Sequence, residues 1–76
     1  MKHTGVVLRF GIRGYGFLQD VANQKQYFVH IDDVIGRYAL MTGQRVEFEE
    51  GPQKPGRAQQ AILVRLIGAS VSPEAL

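Results

Sequence analysis

The residues of this chain whose types and spacing could do chemistry are rings and cations. Tyr15 and Phe17 alternate with Gly16 and Leu18, and Phe28 and His30 alternate with Tyr27 and Val29. Successive residues of a strand point to opposite faces. If Gly16, Leu18, Tyr27 and Val29 face a core, then Tyr15, Phe17, Phe28 and His30 face water together. Most strand aromatics fill cores, but burying these rings would send Leu18, Tyr27 and Val29 outward and make no better core. A soluble monomer rarely exposes such a patch without a use for it. Rings that lie open beside cations can stack bases and pair with phosphates.

Arg9, Arg13, Lys25, Arg37 and Arg57 are the cations expected around the rim of this patch, with Lys2, Lys54 and Arg65 left unassigned. A solvated surface charge is the alternative for each. Asp32-Asp33 and Glu47, Glu49 and Glu50 are expected on another side, which would turn a net charge of only +2 into a dipole. His30 has a second reading as a proton switch or metal ligand. Its only fellow histidine is His3 near the N-terminus, for which no role is expected, and one ligand does not make a site.

Catalysis finds no support in these residues. There is no cysteine, and the only serines, Ser70 and Ser72, lie near the C-terminus. Asp32 and Asp33 are sequence neighbours expected to cap a helical turn, which does not aim two carboxylates at one substrate. The glycines at 11, 14 and 16 do not have the dinucleotide-binding spacing, and no phosphate-cradling loop carries a lysine. No catalytic residue, metal, cofactor or small-molecule substrate is expected.

The elements that must position the rings are short. Residues 5–10, 15–20, 26–31, 44–50 and 58–67 read as strands from their β-branched or alternating apolar residues, and 32–36 as one helical turn. A chain of 76 residues, 45% apolar and 21% charged, makes one small globular domain. The fold class expected is all-β: a small five-stranded antiparallel β-barrel of the oligonucleotide-binding (OB) type, since curling the sheet hides its edges. The domain covers 1–67, and 68–76 is expected to be a flexible C-terminal tail. The core expected is Val7, Leu18, Tyr27, Val29, Val34, Val46, Phe48, Ile62 and Val64, with Leu40 anchoring the long connection before the fourth strand. No apolar run approaches the roughly 20 residues of a membrane span. The strand-like start leaves no room for a signal peptide, so a cytoplasmic location is expected.

With these residues in view, the chain resembles the bacterial cold-shock proteins. Arg13-Gly14-Tyr15-Gly16-Phe17-Leu18 is similar to the family's first ribonucleoprotein motif, Lys-Gly-Tyr/Phe-Gly-Phe-Ile, and Phe28-Val29-His30 stands as in its second. Thr4-Gly5-Val6-Val7 with Phe10 resembles the opening strand, and Gly43-Gln44-Arg45-Val46-Glu47-Phe48 a later one, so the likeness runs from Thr4 to Leu66. The resemblance implies a barrel that binds single-stranded RNA or DNA as an RNA chaperone or antiterminator. Phe10, Tyr15, Phe17, Phe28 and His30 carry over as base-stacking positions and Arg13 as a phosphate contact. The chain departs from the family where Arg9 stands for a first-strand tryptophan, Leu8 for the lysine before it, Gly11 for an asparagine, and Ile31 for the aromatic after the motif histidine. Arg9 can stack its guanidinium on a base and supply charge at once.

The function expected is therefore single-strand binding of low sequence specificity, by a monomer or a homodimer, away from membranes. Two alternatives remain open: a protein-interaction or dimerisation module using the same face, and a ribosome-associated translation factor of related fold.

Overall fold

The computed structural model describes residues 2–67, so the expected tail at 68–76 lies outside the described residues. The strands are β1 (His3–Phe10), β2 (Tyr15–Asp20), β3 (Gln26–His30), β4 (Arg45–Glu50) and β5 (Ala61–Leu66), with one 3₁₀ turn at Ile31–Asp33. They pair antiparallel in the order β3-β2-β1-β4-β5. The all-β, five-stranded architecture is the one the apolar alternation implies. β1 starts two residues earlier than expected, at His3, and β5 three residues later, at Ala61.

The sheet curls until its ends meet. The Phe28 amide donates to the Gln59 carbonyl at 2.8 Å, and the Ile35 amide to Val64 at 2.8 Å. These contacts run parallel, Phe28 with Gln60 and Val34 with Val64, and cover edge groups that would otherwise be open to pairing.

Two irregularities decide which side chains enter the barrel. In β1 the register shifts between Val7 and Arg9, so that Val7 faces Leu18 while Arg9 faces Phe17 and Phe10 faces Gly16. Leu8 is the extra residue of a bulge, and it reverses the inside-outside alternation beyond it. In β5 the shift between the partners of Glu47 and Glu49 falls at Leu63, whose φ of 52° is left-handed. That bulge turns Ile62 out of the core and Ala61 into it, a correction to the strict alternation expected. The core is Val7, Leu18, Tyr27, Val29, Val34, Leu40, Val46, Phe48, Ala61 and Val64. Leu40 takes the anchoring place expected of it.

Gly16 allows the tightest approach in the barrel. A Cβ there would overlap the Arg9 carbonyl oxygen and lie 2.7 Å from Phe10 Cα. Only a residue without a side chain lets β1 and β2 come this close, and that closeness brings Arg9 against Phe17.

The lower end of the barrel is closed by polar groups. Asp20 is 2% exposed. It accepts the Ala22 amide at 2.8 Å and the His3 ring at 2.9 Å, and His3 stacks on Phe48 with ring centroids 5.3 Å apart. His3 therefore has a structural role that the sequence reading did not assign. Burial alone would raise the Asp20 pKa, but these donors outweigh it and hold the carboxyl below its ordinary value. Beside it the buried Tyr27 donates its hydroxyl to Glu50 at 2.6 Å.

Candidate nucleic-acid interface

The rings of β2 and β3 meet because the strands pair in full register. Tyr15 lies opposite His30 and Phe17 opposite Phe28, while Gly16, Leu18, Tyr27 and Val29 point inward. Phe28 is the centre of the group. Its centroid is 5.8 Å from Tyr15 and 5.9 Å from Phe17, the latter pair meeting edge to face at 76°. Edge-to-face packing holds the rings to one another and leaves ring faces open. Tyr15 is 42% exposed and the two phenylalanines are half-buried, which makes this a fixed platform rather than loose side chains.

The bulge at Leu8 adds Arg9 to this platform. Its guanidinium carbon sits 5.9 Å from the Phe17 ring centroid. Phe10 goes the other way: it lies opposite Gly16 and packs half-buried against the core, so the structure does not bring it into the ring cluster. Its exposed edge lines a concavity with Arg9, Arg13, Tyr15 and Phe17.

A second concavity lies across the platform, between β3 and the loop joining β4 to β5. Phe28, His30, Lys54 and Arg57 line it together with Asp32 and Asp33. The two aspartates were expected on another side of the molecule, and this placement corrects that. They follow His30 directly, and the 3₁₀ turn folds them back beside it. Both are occupied: Asp33 accepts from Gln60 at 2.6 Å and Asp32 from Arg37 at 2.8 Å. Neither caps the turn. His30 does, accepting the Asp32 amide on Nδ1 at 3.0 Å, and the same nitrogen lies 3.6 Å from the Asp32 carboxylate.

The cations sort into two sets. Lys2 and Arg65 pair with Glu47, Lys25 with Glu50, and Arg37 with Asp32. Lys25 also sits 5.2 Å from the Tyr27 ring centroid, at the end of the barrel rather than on the platform, and Arg37 is held at the 3₁₀ turn. Among the described residues, Arg9, Arg13, Arg45, Lys54 and Arg57 make no ion pair. Four of these, Arg9, Arg13, Lys54 and Arg57, line the two concavities that flank the rings. Sequence reasoning left Lys54 unassigned and gave Arg45 no place among the rim cations. The alternation of Arg45 with Val46 and Phe48 marks it as outward, but which loop closes over β3 is not written in any local pattern.

Rings at the centre and unpaired cations on both sides suit a chain of stacked bases joined by phosphates. No cluster of metal-ligating side chains occurs among the described residues. No described helix is long and apolar enough to cross a membrane. The family model described as the 'Cold-shock' DNA-binding domain matches residues 3–67. No curated protein matches the chain.

Proposed function

The chain belongs to the cold-shock domain family, whose domains bind nucleic acid, and from that premise we propose that it binds single-stranded RNA or DNA across Tyr15, Phe17, Phe28 and His30. Arg9, Arg13, Lys54 and Arg57 hold the phosphates or base edges on either side. Binding is by stacking and charge, so it is tolerant of sequence and sensitive to salt. Single strands are favoured because their bases can splay onto the rings. In a cell such a protein acts as an RNA chaperone or antiterminator-like regulator: by holding open strands it draws weak hairpins apart through mass action, without hydrolysing a nucleotide.

The observation that carries this reading is the sorting of the cations. Lys2, Lys25, Arg37 and Arg65 are paired with carboxylates, while four of the five described cations without an ion pair, all but Arg45, flank the platform. Amide NMR titration with a thymine strand of about seven nucleotides, within the 4–16 an OB fold covers, tests it. The expected shifts run through Arg9, Tyr15, Phe17, Phe28, His30 and Arg57. Shifts centred instead on Ile35 and Leu63, exposed residues that line neither platform concavity, would refute it.

A further inference from the structure

The two concavities beside the rings are chemically unlike. The one between β3 and the β4–β5 loop mixes cations with Asp32 and Asp33. The one beside β1 is lined by Arg9 and Arg13, by the rings of Phe10, Tyr15 and Phe17, and by no carboxylate. Phosphate alone would be served by either. A cleft with aromatic walls and a guanidinium at its lip offers more: a slot for a base and a planar fork of donors at the edge of that base.

Arg9 is set up to use its edge rather than its charge alone. The bulge at Leu8 brings its side chain to the ring face, opposite Phe17, and the guanidinium sits over the Phe17 ring at 5.9 Å. A guanidinium over an aromatic ring stacks on it through its flat face, an arrangement that leaves its N–H groups for another partner. Among the described residues no carboxylate pairs with it, so its N–H fork is open in the plane. A guanidinium so held matches two acceptors side by side, the pattern guanine presents at O6 and N7. Adenine replaces O6 with a donor and repels one arm of the fork, and the pyrimidines lack the pair.

We propose that the cleft formed by Arg9, Arg13, Tyr15 and Phe17 is a guanine subsite. The base stacks beside Phe17, Arg9 takes its O6 and N7, and Arg13 holds the adjoining phosphate. This rests on the single-strand reading above and adds to it a preference at one position of an otherwise sequence-tolerant track.

The test is fluorescence anisotropy on short thymine strands in which each position in turn is replaced by guanine, adenine or 7-deazaguanine. At one position guanine is expected to bind about tenfold tighter than adenine, within the range a bidentate arginine–guanine pair provides. The analogue lacking N7 is expected to lose most of that gain. In Arg9→Lys the guanine-to-adenine ratio should fall to about one, since a point charge cannot reproduce the fork. Equal binding of guanine and adenine at every position overturns the proposal while leaving single-strand binding intact. So does a preference that survives 7-deazaguanine, or one that survives Arg9→Lys. Absence of binding to every strand, thymine included, overturns both readings.

Discussion

Phe17 and Phe28 stand directly opposite each other on β2 and β3, with ring centroids 5.9 Å apart and planes at 76°. Each ring fixes the other's orientation while the strands' inward residues, Leu18 and Tyr27, are fully buried beneath them. The platform is thus seated directly on the core. Replacing both rings removes the platform without opening the barrel. Phe17→Ala with Phe28→Ala should lower affinity for a thymine strand by more than about tenfold, given roughly 1–3 kcal/mol per stacked base. Calorimetric titration reads the affinity, and far-ultraviolet circular dichroism checks the fold. A folded double variant with full affinity would sink the stacking account.

Gly16 makes the opposite prediction. The atoms an added Cβ would meet are backbone, Arg9 and Phe10, so no side chain can rotate away. Gly16→Ala should destabilise the domain by about 3 kcal/mol, the upper part of the usual overpacking range. That is a large share of what a small domain has. Urea denaturation measures it, and an unchanged midpoint would mean that β1 and β2 separate easily.

The cation sorting predicts a contrast between two arginines. Arg57 lines the platform concavity, whereas Arg65 pairs with Glu47. Arg57→Gln should weaken binding across sequences alike and reduce the salt dependence by about one phosphate contact. Arg65→Gln should change neither. Equal effects from the two would mean that only total charge matters.

The closed end of the barrel predicts how stability follows pH. Asp20 is held below its ordinary value of 3.8 in the folded protein, so the unfolded chain binds more protons just below that pH. Its contribution is present above 3.8 and is lost as pH falls through the lower folded value. Burial first, and then the bond to Glu50, push the Tyr27 hydroxyl well above 10.0. Above pH 10.0 the unfolded chain releases a proton that the folded one keeps, so stability falls as pH rises. Asp20→Asn should flatten the acid limb of a denaturation-against-pH curve and Tyr27→Phe the alkaline limb. Limbs unchanged in both variants would place the titrating groups elsewhere.

Much of this arrangement was legible in the sequence because it depends on alternation. The inward and outward residues of β2 and β3 follow from their periodicity, and a two-stranded aromatic patch follows from those. What was not legible is where alternation breaks. The bulge at Leu8 sends Arg9 to the ring face and Phe10 toward the core, and the one at Leu63 exchanges Ile62 for Ala61. Neither is marked by a glycine, the residue that most often signals such a break. The bond from His3 to Asp20 spans seventeen positions and closes only when β1 and β2 pair. Lys54 joins the platform because its loop packs against β3, a contact with no local sequence pattern behind it.

The central claim is that rings and unpaired cations together bind single strands. The most direct measurement is anisotropy of a labelled thymine strand and of a duplex of equal length over a salt series. Selective binding of the single strand is expected, with log affinity falling linearly in log salt at a slope of about −0.7 for each phosphate held. Equal affinity for the duplex, or no binding at low salt, would contradict the claim.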